Sequence, residues 1–142
     1  MIYIDTSILA AYYCLEPLSD IVEAKLMEVR NPAISLLTEI ELASAISRKI
    51  REGNLSREAG NRIINQFQAH IAHHLFRLLP IEHEHYQQAK AWIAQFNTPL
   101  RTLDALHLAL AATENATLLT SDGKLAQAAI FFGVDVSVLS TS

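Results

Sequence analysis

The sequence predicts an α/β fold with a parallel sheet. Short apolar runs alternate along the chain with longer stretches of helical period, the pattern of strands joined by crossover helices. The 142 residues are 51% hydrophobic and 18% charged, which is enough apolar material for one sizeable core and too little chain for two. No internal repeat, low-complexity tract or linker interrupts the pattern, so residues 1–142 are expected to form a single domain.

Element by element, Ile2 to Ile4 is a first apolar strand, and a helix begins near Ser7. A second helix runs from Ser19, its expected N-cap, to Arg30. The Asn31-Pro32 break precedes a short second strand, Ala33 to Ser35. Thr38 to Glu52 is the next helix, and Gly53-Asn54 ends it. Ser56 opens a long helix with Glu58 in its first turn and a His-rich segment at its end. Leu78 to Ile81 is a third strand, followed by helices over Glu82 to Phe96 and Thr102 to Thr113, separated by Asn97-Thr98-Pro99. Thr117 to Leu119 is the fourth strand, Lys124 to Phe132 a helix, and Val134 to Val138 the last strand.

Fifteen acids against eleven Lys and Arg give a formal charge of −4, which on composition alone argues mildly against a nucleic-acid partner. The objection weakens if several acids sit together and hold divalent cations, because a loaded metal site reverses the local sign. Cys14 stands alone and cannot form an internal disulfide, as suits a reducing compartment. The first residues carry no basic segment followed by a long apolar run, and no apolar run is long enough for a membrane span. The expectation is a soluble, cytoplasmic protein without a membrane partner.

Four acids stand where chemistry is expected. In parallel α/β sheets, ligands bind in the crevice beyond the carboxyl ends of the strands. Asp5 directly follows the first strand, and Asp122 follows the fourth after Thr120-Ser121. Glu41 shares a helix face with Ser44, Ala45 and Arg48, at spacings of three, four and seven, whereas Glu39 projects from nearly the opposite side. Asp104 stands at the head of the apolar helix Leu103 to Ala112, where partial burial demands a partner. Each acid also has a bland reading. Asp5 can be a helix N-cap, Asp104 a first-turn acid, Asp122 a turn residue before glycine, and Glu41 half of a Glu–Arg pair. Gathered in one crevice, the four would repel one another unless cations neutralised them, and an oxygen-only set suits Mg²⁺ or Mn²⁺. Residue chemistry leaves both readings open.

The motifs Tyr3-Ile4-Asp5-Thr6-Ser7, Glu41 to Arg48, Leu103-Asp104-Ala105-Leu106-His107-Leu108-Ala109 and Leu119 to Leu125 follow one another along nearly the whole chain. Each is weak alone; together, in this order and spacing, they resemble the PIN-domain family, and within it the VapC-type toxin ribonucleases of toxin–antitoxin pairs. The resemblance implies a three-layer α/β/α sandwich around a short, mainly parallel sheet. It implies Mg²⁺- or Mn²⁺-dependent endoribonuclease activity, with Asp5, Glu41, Asp104 and Asp122 holding the metal and Thr6, Ser7, Thr120 and Ser121 in support. It also implies an RNA substrate, a cognate antitoxin and a homodimer.

Other constellations carry less. The histidines His70, His73, His74, His83, His85 and His107 lack the spacing of a zinc protease, and no cysteine completes a structural zinc site. Solvated helix ends are the expected place for them, and His107, on the Asp104 face, is either a core histidine or one that reaches the site. Arg48, Lys49, Arg51, Arg57 and Arg62 lie on two successive helices, where they form either a footprint for an RNA backbone or a solvated face balanced by Glu52 and Glu58. Arg48 and Arg101 are the candidates for RNA contact. Tyr12, Tyr13, Phe67, Trp92, Phe131 and Phe132 read as core or subunit interface. An aspartyl-nucleophile phosphatase would want an acid at position 7, where Ser7 stands, and a phospho-receiver would want paired acids at the first strand. The competing class is a catalytically silent domain that binds RNA or a protein partner.

Overall fold

The computed structural model describes residues 1–141. Twelve elements alternate along these residues: β1 (Ile2–Ile4), α1 (Thr6–Tyr13), α2 (Ser19–Met27), β2 (Ala33–Ser35), α3 (Leu36–Arg51), α4 (Arg57–Ala72), β3 (Arg77–Leu79), α5 (His83–Ile93), α6 (Thr102–Thr113), β4 (Thr117–Thr120), α7 (Gly123–Phe131) and β5 (Val136–Val138). The strands form one sheet in the order β3-β2-β1-β4-β5, and every pairing is parallel. The chain builds outward from β1 through β2 to β3, then returns to the other side of β1 for β4 and β5. That reversal opens a crevice beyond the carboxyl ends of β1 and β4, where an open parallel sheet offers its binding site.

The period-2 alternation of the strands divides the core into two layers. Tyr3, Ala33 and Leu118 face one side and pack with Trp92, Leu106, Leu110 and Leu125 from α5, α6 and α7. Their neighbours Ile4, Ile34 and Leu119 face the other and pack with Ile8, Val22, Leu42 and Phe67 from α1, α2, α3 and α4. The result is a three-layer α/β/α sandwich. Truncating a fully buried leucine such as Leu108 or Leu118 to alanine is expected to cost about 2–5 kcal/mol. On the second face, α4 lies so close to α3 that a Cβ on Gly60 would come within 2.8 Å of Ile50 Cδ1.

Most boundaries fall within two or three residues of the sequence expectation, and the exceptions have local causes. The second helix stops at Met27, short of Arg30, and Asn31 then takes a left-handed φ of 50°. It is capped at Leu18 without a side-chain hydrogen bond, so Ser19 is its first helical residue and not its N-cap. The hydroxyl of Ser19 instead donates to the carbonyls of Ala11 and Cys14, pinning the α1–α2 turn. The third helix begins at Leu36 because Ser35 ends β2 and serves at once as N-cap, its N–H donating to Thr38 Oγ1 at 3.2 Å. The fifth ends at Ile93 because the chain turns to a left-handed φ of 59° at Phe96. The last strand is confined to Val136–Val138 because Gly133, at φ 73°, turns the chain first and Val134 packs in the core. None of the helices of the described residues is long and apolar enough to cross a membrane.

Candidate active site

The carboxyl ends of β1 and β4 are laced together by side chains. Asp5, 5% exposed, caps α1: its Oδ1 accepts from the Ser7 hydroxyl at 2.6 Å and from the Ile8 N–H at 3.3 Å. Its Oδ2 accepts from the Thr120 hydroxyl at 2.6 Å. Ser7 Oγ accepts in turn from the Ser121 N–H at 3.0 Å, and Thr120 Oγ1 from the Asp122 N–H at 3.0 Å. Burial pushes the Asp5 carboxyl above the usual range, opposed by the hydrogen bonds from Ser7 and Thr120.

Glu41 enters from α3, its Oε1 accepting from the Thr6 hydroxyl at 2.8 Å and from His107 Nε2. Burial raises the Glu41 carboxyl, but the hydrogen bonds from His107 and Thr6 oppose it, and the group is held below the ordinary glutamate value. His107, 2% exposed, reaches back through Nδ1 to the Tyr3 hydroxyl at 2.6 Å, and Tyr3 meets Ser35 Oγ at 2.9 Å. Glu41 also lines an open groove of about 580 Å³ with Thr6, Ser44, Ala45, Arg48 and Arg51.

Asp104 and Asp122 stand at the starts of α6 and α7 and line a second depression, of about 250 Å³, with Arg101 and Lys124. Asp122 caps α7 by accepting from the Lys124 N–H at 2.9 Å and the Leu125 N–H at 3.3 Å. Burial pushes the Asp104 carboxyl up, the negative charges of Asp122 and Glu41 push it further, and His107 and Arg101 only partly offset them. The acids sense one another across the crevice.

For Asp5 and Asp122, then, the cap and the site are the same residue, because a strand-end acid that caps the next helix already sits at the crevice. Thr6, Ser7, Thr120 and Ser121 all make hydrogen bonds within this network. Glu39 lies away from it, within 3.5 Å of Gln68 on α4. The basic run divides: Arg48 and Arg51 border the Glu41 groove, Arg57 lines a separate groove between α3 and α4, and Lys49 pairs with Glu16 at 3.4 Å. Of the aromatics, Phe67 and Trp92 are core, with Phe132 stacked on Trp92, while Phe131 is 56% exposed. The expectation of solvated histidines fails at His85, which is 2% exposed in the first turn of α5, its Nδ1 accepting from the Glu82 N–H at 2.8 Å. The three-residue step from Asp104 brings His107 to the site, one of its two sequence readings, but its partners Glu41 and Tyr3 are not legible in the spacing.

The model of the PIN domain matches residues 2–130. The chain belongs to the PIN domain family. A comparison with curated protein sequences gives no match. Among solved structures, the chain is similar to FitAcB from Neisseria gonorrhoeae, with TM-score 0.74 and 22% identity over 96% of each chain. It is similar to VapC20 of Mycobacterium tuberculosis, a sarcin-ricin loop cleaving toxin, with TM-score 0.70 and 18% identity over 90% of this chain and 95% of that one. It is also similar to VapBC2 from Rickettsia felis bound to a promoter DNA fragment, with TM-score 0.70 and 19% identity over 99% and 100% of the two chains. At these identities the likeness establishes the shared fold.

In this PIN domain four carboxylates, Asp5, Glu41, Asp104 and Asp122, stand at the carboxyl edge of the sheet, and carboxylate oxygens are the chemistry that suits a hard divalent cation. Among the described residues, no three Asp, Glu, His or Cys side chains form a ready-made metal cage. Mg²⁺ does not require one, since it commonly binds through one or two carboxylates and keeps several waters. Burial first and then the charges of Asp122 and Glu41 raise the Asp104 carboxyl, and a nearby cation would relieve that repulsion.

Proposed function

We propose that this chain forms one metal-dependent endoribonuclease domain that hydrolyses RNA phosphodiester bonds as the toxin of a toxin–antitoxin pair. The observation that carries the reading is that Glu41 of α3 and Asp122 at the cap of α7 lie near enough to repel Asp104 in the first turn of α6, beside Asp5 at the end of β1, in a PIN domain. Asp5, Glu41, Asp104 and Asp122 would hold Mg²⁺ or Mn²⁺. Such an ion, when bound, neutralises phosphate charge and lowers the pKa of a water for attack at phosphorus. Thr6, Ser7, Thr120 and Ser121 keep the carboxylates in place, so little reorganisation is left for the reaction itself. Arg48 and Arg51 on one side and Arg101 and Lys124 on the other supply cations along the two depressions that border the acids, where an RNA backbone would run.

The cleaving toxin among its structural relatives supports a toxin's role and, with it, a cognate antitoxin; homodimeric assembly and action in the cytoplasm belong to the same proposal. The test is induced expression of the wild type and of Asp104→Asn, with sequencing of cellular RNA 5′ ends. Growth arrest with discrete new ends in the wild type alone is the expected result. Identical profiles would refute the reading and favour a domain that binds RNA or protein without cutting.

A further inference from the structure

We propose that His107 is a positioning residue for Glu41, and that Tyr3 selects the imidazole tautomer in which it acts. The inference rests on the reading that Glu41 belongs to a metal-dependent nuclease centre, and it assigns work to two buried residues outside the acidic set. A carboxylate has no proton to give, so His107 Nε2 must be the donor to Glu41. In the neutral ring Nδ1 is then an acceptor, and the Tyr3 hydroxyl, 2.6 Å away, is its donor. Tyr3 in turn accepts from the Ser35 hydroxyl at 2.9 Å. The chain Ser35, Tyr3, His107, Glu41 therefore donates in one direction, from the interior of the sheet toward the crevice, and each bond polarises the next.

The consequence falls on one oxygen. Both donors to Glu41, His107 and Thr6, meet Oε1, and among the described residues none donates to Oε2. Glu41 is thus gripped by one oxygen and keeps the other for a ligand, unlike Asp5, whose two oxygens both take protein donors. A glutamate on a helix surface otherwise samples several rotamers, and fixing it removes an ordering cost from metal or substrate binding. His107 and Asp104 also share one face of α6 (three residues apart), so one helix carries an acid of the crevice and the group that orients another.

The experiment compares the full-length wild type with His107→Asn, His107→Gln, Tyr3→Phe and Glu41→Gln. Affinity for Mn²⁺ is read from the electron paramagnetic resonance of the free ion, and folding is checked by thermal unfolding. Partners that hold a ligating group in place are worth roughly 10–100-fold in metal affinity, so His107→Asn should weaken Mn²⁺ binding by about that factor. His107→Gln, whose amide nitrogen stands near the place of Nε2, should recover most of it, and Glu41→Gln should lose at least as much as His107→Asn. Long-range ¹H–¹⁵N spectra of the imidazole should show the Nε2–H tautomer in the wild type and a mixture in Tyr3→Phe. That measurement on the wild type stands even if a variant fails to fold.

A wild-type ring found as the Nδ1–H tautomer or the imidazolium overturns the inference. So does a His107→Asn variant with wild-type affinity beside a weakened Glu41→Gln. If the wild type binds no Mn²⁺, the nuclease reading itself falls and takes this inference with it.

Discussion

At the β1–β4 edge, Asp5 is 5% exposed and every hydroxyl around it is committed: Ser7 and Thr120 donate to its two oxygens and themselves accept from the backbone of β4's trailing turn. At the heads of α6 and α7, Asp104 accepts no hydrogen bond from a described residue, and its carboxyl is raised first by burial and then by the charge of Asp122. One half of the crevice is held together by directed hydrogen bonds that also close the fold. In the other half Asp122 caps α7, but the repulsion and burial at Asp104 are only partly offset. Within one cluster, then, Asp5 closes the fold while it faces the crevice, whereas Asp104 has no donor of its own among the described residues.

The widest separation should appear in stability. Asp5→Ala removes the α1 cap and strands two hydroxyls, one of them buried on Thr120, and we expect a loss of about 2–4 kcal/mol in urea unfolding. Asp104→Asn removes a repelled charge from a partly solvated place, and should change stability by no more than about 0.5 kcal/mol, in the stabilising direction. Equal losses for the two variants would erase the distinction. Adding Mn²⁺ should raise the unfolding free energy of the wild type, by about 2.7 kcal/mol at one hundred times its Kd, and leave Asp104→Asn nearly unmoved.

A finer cut is Thr120→Val, which keeps the shape of the side chain but leaves Asp5 Oδ2 and the Asp122 N–H without their partner. It should cost about 1–3 kcal/mol, measured by the same denaturant titration. The smallest effect belongs to the rim of the open half. Arg101→Ala should leave stability within about 0.5 kcal/mol, while the slope of log RNA affinity against log salt becomes shallower by about one. An unchanged slope would place the RNA path elsewhere.

Much of this half-and-half design is legible in the sequence. Asp5 and Asp122 are found at strand ends, and helix phase separates Glu41 from Glu39, because both features depend only on local period and position. The order of the sheet and its carboxyl edge follow from the alternation of apolar runs with helices. The pairings are not legible. Tyr3 and His107 are 104 positions apart, and His107 and Glu41 66 apart, so their contact depends on how α6 and α3 settle on the sheet. His85 is polar by type, which predicts solvent, yet packing buries it to 2% exposure. The early ends of α2 and α5 escape notice for a related reason, since Asn31 and Phe96 take the left-handed turn where no glycine announces it.

The most direct test is a crystal grown with Mn²⁺ and recorded at a wavelength where manganese scatters anomalously. We expect anomalous density among Asp5, Glu41, Asp104 and Asp122 in the wild type, and its loss in Asp104→Asn with the Asp5–Thr120 hydrogen bond intact. Density only at the exposed histidines His73 and His74, or none in the crevice at saturating Mn²⁺, would contradict it.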